Sequence, residues 1–358
     1  MTTDSAPAAR LAHLDGLRGI AALIVILQHA AQVVAEAGFG LFGPMLDAVN
    51  LGRFGVILFF LISGFVIPFS FRGPTPLRDF AISRFFRLYP AFWLSIPILA
   101  IVAATKGRAP DLPTFLANIT MVQEWFGYAN IGWGYWTLSY EMGFYLLCML
   151  LFAGGALASA RANALLLAAM IALTLLPFMR AGLGLDAGPI VEKWYFIAMF
   201  LAGMLLRRVV VEGSAEARRW ATVLLPLLFG AGLLMGGLWL PVPSNGSIYF
   251  KPIALATSMA LPLPLFYVVL RWRPQPGPLL IWFGTISYSL YLFQDVGLHL
   301  LPFLLPPGDA PLLFFAAVFA VTIAIAALVY RFIEAPMIAA GRRLTRRTPG
   351  LRAAEIAP

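Results

Sequence analysis

The sequence predicts an all-α membrane protein, a bundle of about ten transmembrane helices. Of its 358 residues, 61% are hydrophobic and 11% are charged, whereas soluble domains carry about 25% charged residues. The apolar residues form repeated stretches of around 20 residues, the length that an α-helix needs to cross a bilayer, and not the short alternating segments of a barrel. Most arginines lie in the short connections between these stretches.

Ten candidate membrane helices can be placed along the chain from hydropathy. They lie at residues 16–37, 51–71, 90–106, 136–156, 162–180, 190–207, 221–240, 248–270, 279–303 and 311–333. If the N-terminus is inside, the inner side holds both tails and the connections with Arg72, Arg78, Arg84, Arg87, Arg161, Arg207, Arg208, Arg218, Arg219, Arg271 and Arg273. The outer side keeps Lys106, Arg108, Arg180, Lys193 and Lys251. By the positive-inside rule, this asymmetry predicts that both termini are cytoplasmic.

Three regions are predicted: a cytoplasmic N-terminal tail at 1–13, a ten-helix domain at 14–340, and a basic cytoplasmic tail at 341–358. We expect the last to be disordered and to lie against anionic lipid. The formal charge of +9 does not indicate nucleic acid, because the arginines follow the membrane topology. The single cysteine, Cys148, excludes an internal disulfide. No two histidines have metal-ligand spacing, so no metal is predicted.

The first span carries an arginine and a histidine on one face. Arg18 and His29 are eleven residues apart, which corresponds to about 1100° of rotation, within roughly 20° of three turns, and to about 16 Å along the axis. Ionisable groups inside an apolar helix are costly and tend to mark a site or a pathway. The competing interpretation is a histidine that bonds a neighbouring helix and an arginine that anchors at the interface.

Two more arginines precede the predicted third span, in the segment from Arg84 to Pro90. If this segment is helical, Arg84 and Arg87 are neighbours at i and i+3, and both can reach one phosphate-bearing ligand. Pro90 then suits the first turn of the following helix. The alternative is a pair of interfacial anchors with snorkelling side chains.

The fourth and ninth spans each carry a polar stripe. Thr137, Glu141 and Tyr145 follow at i, i+4 and i+8, beside Trp136, and a carboxylate in an apolar helix usually has a partner. In the ninth span the shared face is formed by Ser287, Tyr291 and Gln294. After the tenth span, Arg331 and Glu334 have the i, i+3 spacing of an ion pair, which we interpret as mostly structural.

Together these segments resemble the acyltransferase-3 family of bacterial multi-pass membrane acyltransferases. The matching pieces are Arg18 and His29 with ten residues between them, and the segments 59–65, 84–90, 136–145, 287–292 and 334–336. They occur in the family's order and extend from residue 14 to about 336. The resemblance implies a bundle of about ten helices in the bacterial cytoplasmic (inner) membrane, here as a stand-alone member without a fused esterase-like domain.

The resemblance also implies transfer of an acyl group, commonly acetyl from acetyl-CoA, to a hydroxyl of a carbohydrate or lipid-linked glycan. Acyl-CoA is then a donor substrate and not a bound cofactor, and the partners are this donor, a carbohydrate or glycolipid acceptor and membrane lipids. On this basis Arg84 and Arg87, then Arg18, are the candidates for the acyl-CoA phosphates. The other expected substrate-binding residues are Trp136, Tyr145, Ser287, Tyr291 and Gln294.

His29 is expected either to act as general base on the acceptor hydroxyl or to accept the acyl group itself. Glu141 or Asp15 is expected to orient its imidazole or to stabilise its protonated form. Many relatives have a histidine where this chain has Gln294; glutamine cannot act as a base but can bond a substrate. The rival functions are a proton-coupled transporter or flippase, which also uses intramembrane ionisable groups, and an inactive scaffold of an envelope complex.

Overall fold

The computed structural model of the chain describes residues 12–184, 192–237 and 251–345. Across these ranges the secondary structure is helical, without a strand, as the predicted all-α class requires. The α-helices are α1 (Ala12–Glu36), α2 (Gly43–Ala48), α3 (Leu51–Val66), α4 (Pro76–Ala104), α5 (Leu112–Ile119), α6 (Tyr135–Ala153), α7 (Ala160–Gly182), α8 (Glu192–Val210), α9 (Ala215–Gly237), α10 (Pro252–Ala260), α11 (Pro262–Trp272), α12 (Pro278–Thr285), α13 (Ser287–Leu300), α14 (Pro311–Val329) and α15 (Ala335–Thr345). A π-helical segment, Tyr330–Glu334, joins α14 to α15.

Each of the ten predicted spans overlaps a helix or a pair of helices in the described ranges. Seven helices there are long and apolar enough to cross a membrane, or eight if Gly40–Ala48 and Leu51–Val66, which are bent by 44°, form one span. The two other predicted spans are α8, which carries charged residues at both ends, and the pair α12 and α13, which is interrupted at Ile286. The count of ten and the cytoplasmic location of both termini remain predictions.

The third span differs from its prediction. Helix α4 starts at Pro76 and includes Pro90 and Pro97 in its interior, so the placement of Pro90 in a first helical turn is wrong. Interior proline is tolerated in membrane helices because neighbouring groups can satisfy the carbonyl that loses its hydrogen bond. As a result Arg84 and Arg87 both belong to one continuous helix, and they have the i, i+3 spacing that the sequence suggested.

The basic C-terminal tail also differs in part. Helix α15 continues to Thr345, so residues 341–345 are helical and not disordered. Gly341 is buried, and a Cβ on it would lie 2.8 Å from the Cβ of Phe86, which shows how closely α15 packs on α4. This packing extends the helix beyond the predicted boundary. Residues 346–358 of the tail, and residues 1–11 at the N-terminus, lie outside the described residues.

Helix α1 lies inside the bundle and packs against α3, α12, α13 and α14. The backbones of α1 and its neighbours come close together at glycine residues. A Cβ on Gly55 of α3 would lie 2.6 Å from the Ala21 carbonyl oxygen. At the other flank, a Cβ on Gly19 would lie 2.6 Å from the Leu280 carbonyl oxygen of α12. Small residues at such crossings allow membrane helices to pack at close range. This packing encloses the face of α1 that carries Arg18 and His29.

An aromatic stack joins three of the surrounding helices. The rings of Phe60 in α3 and Phe144 in α6 each stack on Phe200 of α8, with centroid separations of 4.4 Å. Phe200 is fully buried. Such stacked pairs add to the burial of apolar area, so α3, α6 and α8 form a compact wall beside α1.

Candidate active site

Arg18 and His29 line two different cavities in the bundle. We call the cavity of about 710 Å³ that His29 lines, together with Gln32, Trp133 and Gln294, the His29 cavity. The cavity that Arg18 lines, together with Ser63, Glu141 and Ser287, has a volume of about 50 Å³, and we call it the Arg18 cavity. The three helical turns between the two side chains therefore separate a wide space from a narrow one.

Tyr291 lies between the two cavities. It lines both of them, as Val56 does. Its hydroxyl is hydrogen-bonded to that of Thr137 at 3.0 Å, and its ring contacts Phe59 edge-on at 6.0 Å. These contacts hold Tyr291 as part of the wall between the His29 cavity and the Arg18 cavity.

His29 is held on two sides. Its Nδ1 lies 3.2 Å from Oε1 of Gln32, one turn further along α1. On another side its ring meets Trp133 edge-on, with centroids 5.6 Å apart. The backbone N–H of Trp133 donates to Oδ2 of Asp295 at 2.8 Å. Gln32, Trp133 and Asp295 had no assigned role in the sequence interpretation.

A second histidine lies beyond Trp133. The His299 ring contacts Trp133 at 5.2 Å, and its Nδ1 bonds Nζ of Lys106 at 2.7 Å. Partial burial and the neighbouring Arg108 lower the pKa of Lys106, which lies beyond the end of α4, whereas Asp295 acts in the opposite direction. Trp133 is thus packed between two histidine rings.

The mouth of the His29 cavity carries charges and aromatic rings. Arg53 of α3 and Glu192 of α8 form an ion pair of 2.5 Å there. Trp136 and Tyr140 of α6 line the cavity with Trp133. The role of Trp136 in substrate binding stays a prediction. The pair Arg53–Glu192 joins residues 139 positions apart, for which the sequence contains no local signal.

Glu141 belongs to the Arg18 cavity. Its Oε1 accepts hydrogen bonds from Ser63 at 3.1 Å and from Tyr145 at 2.5 Å, and it interacts electrostatically with Arg18. The hydrogen-bond partner that the structure gives His29 is Gln32 and not Glu141. The polar stripe predicted in the fourth span therefore forms, but the prediction that Glu141 orients the imidazole is wrong.

Asp15 does not reach His29 either. It precedes His29 by fourteen residues on α1, which is about 21 Å along the helix axis, and it interacts electrostatically with Arg18 and Arg87. An orienting role for Asp15 at the imidazole is therefore excluded by distance. Its position assigns it to the charged groups around the Arg18 end of α1.

Arg84 and Arg87 have different neighbours. Nη2 of Arg84 donates to Ser70 at 2.8 Å, and its guanidinium lies 5.4 Å and 5.6 Å from the ring centroids of Phe80 and Tyr145. Arg87 interacts electrostatically with Asp15, Arg18 and Glu334. The choice between a phosphate site and two interfacial anchors therefore stays open for these residues.

The predicted stripe of α13 is divided between the two cavities. Ser287 lines the Arg18 cavity and Gln294 the His29 cavity, with Tyr291 between them. Gln294 is 2% exposed, and its Nε2 donates to the Tyr291 carbonyl at 3.1 Å. Its Oε1 is buried without a partner among the described residues. Tyr145, also expected to bind substrate, is buried and lines neither cavity; it contacts Glu141 instead.

Glu334 is the remaining difference from the sequence interpretation. It accepts a hydrogen bond from Ser289 and is buried, whereas Arg331 is exposed and lies over the Phe332 ring. No ion pair between Arg331 and Glu334 forms in this described segment. The segment is π-helical, which changes the i, i+3 geometry on which the prediction relied.

Comparison with known proteins identifies the chain's relatives. Residues 11–331 match the acyltransferase-3 family model, described as an acyltransferase domain. The chain is 28% identical to "Exopolysaccharide production protein ExoZ" of Rhizobium meliloti over 86% of this chain and 96% of that protein. It is 33% identical to "Acyltransferase MdmB" of Streptomyces mycarofaciens over 38% of each chain, and 24% identical to "Nodulation protein 10" of Rhizobium leguminosarum over 81% and 83%. No solved structure matches the chain.

Proposed function

The chain belongs to the acyltransferase-3 family of membrane acyltransferases, and on that premise we propose that it transfers an acyl group from acyl-CoA to a hydroxyl of a carbohydrate or lipid-linked glycan. The simplest acyl group is acetyl. The observation that carries the proposal is the placement of Arg18 and His29 on one face of α1, in two cavities that share Tyr291 as a wall. One helix thereby aligns a cationic region with a candidate base.

The Arg18 end of α1 is the proposed entry of the acyl donor. Arg18, Arg84 and Arg87 bring three guanidinium groups to this region, and guanidinium is well suited to bind phosphate. Nε of Arg18 and Nε of Arg84 are buried without partners among the described residues. Buried donors of this kind favour a ligand that supplies acceptor oxygens.

The His29 cavity is the proposed site of the acyl acceptor. Its lining combines the aromatic rings of Trp133, Trp136 and Tyr140 with a few polar groups, which is the usual composition of a ligand site. The unpaired Oε1 of Gln294 can accept a hydrogen bond from a hydroxyl. A carbohydrate is further supported by the relative that is named for exopolysaccharide production.

In the proposed reaction, neutral His29 removes the proton of the acceptor hydroxyl as its oxygen attacks the thioester carbonyl. The new bond joins this oxygen to the acyl carbon, and the C–S bond breaks when the tetrahedral intermediate collapses. The CoA thiolate takes up the proton from the imidazolium. No net change in the protonation of His29 results.

A second route uses His29 as an acyl relay. Its imidazole nitrogen attacks the thioester, releases CoA and then delivers the acyl group to the acceptor oxygen. Incubation with the acyl donor alone separates the two routes, because the relay releases one equivalent of thiol per protein and leaves an acyl-imidazole that mass spectrometry detects.

The narrow Arg18 cavity adds a requirement to the proposal. A volume of about 50 Å³ does not admit a pantetheine arm, so binding of the acyl donor has to widen the cavity. Tyr291 and Phe59 contact each other at this wall. Their displacement would bring the thioester towards the His29 cavity.

The experiment that tests the function is release of free thiol from acetyl-CoA by the purified protein in nanodiscs, with and without a glycan extract. We expect release that rises with the extract in the wild type and is lower by at least about 10²-fold in His29→Ala. A transporter or flippase would release no thiol. Absence of release from the folded wild type, across a panel of acyl donors and acceptors, would reject the proposal.

We further propose that the protein resides in the cytoplasmic membrane of a bacterium, with both termini in the cytoplasm. The distribution of arginines supports this orientation, and it gives the Arg18 end of α1 access to cytoplasmic acyl-CoA. Cysteine labelling tests it: a cysteine introduced at Arg161, after replacement of Cys148, should react with membrane-impermeant maleimide only in inverted vesicles.

A further inference from the structure

We propose that Gln32 is a positioning residue that sets the tautomer of His29, an inference that rests on the proposed role of His29 as a base. Gln32 is 2% exposed and lies one turn beyond His29 on the same face of α1. Its Oε1 is 3.2 Å from Nδ1 of His29. An amide oxygen can only accept a hydrogen bond, so Nδ1 must carry the proton.

This hydrogen bond leaves the other ring nitrogen free for chemistry. A neutral imidazole carries one proton, and with Nδ1 protonated the lone pair is on Nε2. His29 lines the His29 cavity, where the acceptor hydroxyl would lie. The opposite tautomer would offer a protonated Nε2 there, which cannot remove a proton. The bond to Gln32 therefore selects the form that can act as a base.

The ring is also held against rotation. Trp133 contacts it edge-on, and Asp295 holds the Trp133 backbone N–H at 2.8 Å. Asp295 is 4% exposed and lies on α13. The hydrogen bond to Gln32 thus determines which ring nitrogen carries the proton, while the contact with Trp133 restricts the orientation of the imidazole plane.

His299, on the other side of Trp133, provides an internal contrast. Its Nδ1 bonds Nζ of Lys106 at 2.7 Å, and an ammonium group can only donate. Nδ1 of His299 therefore accepts, and its proton is on Nε2. The two histidine rings should have opposite tautomers although both contact the Trp133 ring.

Glutamine differs from a carboxylate in this position. A carboxylate would hold the same tautomer and also attract the positive charge of the imidazolium. Gln32 orients the ring without adding a charge to the cavity. The variant Gln32→Glu keeps an acceptor oxygen, whereas Gln32→Met keeps the approximate size of the side chain and removes it.

Nitrogen-15 NMR of the full chain in nanodiscs tests the inference, because the sequence contains only three histidines. Two-bond correlations of histidine-labelled protein distinguish the tautomers, and His13→Asn and His299→Asn assign the signals. At a pH where the rings are neutral, we expect Nδ1–H for His29 and Nε2–H for His299. In Gln32→Met the His29 signal should move towards a mixture, and in Gln32→Glu it should stay Nδ1–H.

Gln28→Met is the matched control. Gln28 is also 2% exposed, directly precedes His29 on α1, and accepts a hydrogen bond from the Leu51 N–H at 2.7 Å. Because consecutive residues point about 100° apart on a helix, its replacement removes the hydrogen bond to Leu51 and leaves the hydrogen bond between His29 and Gln32 in place. The His29 spectrum should remain that of the wild type, which separates loss of stability from loss of positioning.

Thiol release by the same variants gives the second readout. We expect Gln32→Met to lower kcat by about 10- to 100-fold, less than the full 10²–10⁴ that a general base supplies, with little change in KM for acetyl-CoA. Gln32→Glu should recover most of this loss. An Nε2–H tautomer of His29 in the wild type, or a His29 signal that Gln32→Met leaves unchanged, would overturn the inference. A wild type that releases no thiol would instead contradict the proposed function, and the spectra would still decide the role of Gln32.

Discussion

The two ends of the α1 face differ in how their polar groups are satisfied. Around Arg18 the space is about 50 Å³, and the charges of Asp15, Arg18, Arg87 and Glu141 lie near one another. Around His29 the space is about 710 Å³ and is lined by aromatic rings together with the ion pair of Arg53 and Glu192. The first region is narrow and holds charges of both signs, with Nε of Arg18 still lacking a partner among the described residues, whereas the second is wide. If the acyl donor binds at Arg18 and the acceptor at His29 as proposed, the donor must open its own site, while the acceptor meets one already formed.

The largest expected effect comes from a change in the His29 cavity alone. His29→Ala should lower thiol release by about 10²–10⁴-fold, the range that general base catalysis supplies. Binding of acetyl-CoA should persist, because the arginines lie at the other end of the helix. Release is measured in nanodiscs, and donor binding by equilibrium dialysis. If the variant also lost acetyl-CoA binding at an unchanged unfolding temperature, the two cavities would not be functionally separate.

The second largest effect comes from a change in the arginines of the proposed donor site. Arg84→Ala combined with Arg87→Ala should raise Kd for acetyl-CoA by at least about tenfold, since each hydrogen bond to a charged group contributes about 1.5–3 kcal/mol. At saturating donor, the fold decrease in kcat should be smaller than the fold increase in Kd. Arg161→Ala is the control, because Arg161 is exposed at the start of α7. Normal donor affinity in the double variant would remove both residues from the phosphate site.

A smaller effect sharpens the description of the acceptor side. Gln294→Leu removes the unpaired Oε1 from the His29 cavity, and one neutral hydrogen bond contributes about 0.5–1.5 kcal/mol. We therefore expect KM for the glycan acceptor to rise about 2- to 10-fold, with Kd for acetyl-CoA unchanged. Initial rates over a range of acceptor concentrations measure this. If Kd for acetyl-CoA changed and KM for the acceptor did not, Gln294 would belong to the donor site and not to the acceptor site.

The smallest effect concerns the wall itself. Tyr291→Phe removes the hydroxyl that bonds Thr137 and should lower the free energy of unfolding by about 1 kcal/mol. The ring still separates the cavities, so thiol release at saturating substrates should stay within about twofold of the wild type, because no reacting group is lost. Thermal unfolding and initial rates measure the two quantities. A large loss of rate at normal stability would mean that the hydroxyl takes part in the reaction.

The sequence was most informative where a single helix carried the signal. Helical periodicity placed Arg18 with His29, Glu141 with Tyr145, and Ser287 with Tyr291 and Gln294. These relations depend on residues three, four or eleven positions apart, which the regular rise and rotation of a helix determine. Even there the prediction was limited to a shared face. It did not say which cavity each side chain lines.

Errors occurred where two helices meet or a helix departs from regularity. Glu141 was expected at His29, but α6 packs so that it contacts Ser63 and faces Arg18. Glu334 was paired with Arg331, but the π-helical segment and α13 bring Ser289 to it. Gln32 lies one turn from His29 on the same helix, but an amide is not ionisable and so gives no sequence signal comparable to that of Arg18 or His29.

By itself, the sequence determined an all-helical, apolar chain with a basic and a less basic side, and it placed the polar side chains on their helix faces. Membrane helices repeat regularly and must satisfy their own backbone hydrogen bonds, so these features follow from local composition and spacing. Only the tertiary structure decided that His29 is paired with Gln32, that Arg53 meets Glu192, and that Tyr291 divides the two cavities. The contacts between helices depend on the crossings that small residues such as Gly19 and Gly55 permit, and the face on which each side chain finds its partner is set by how the helices rotate against one another there.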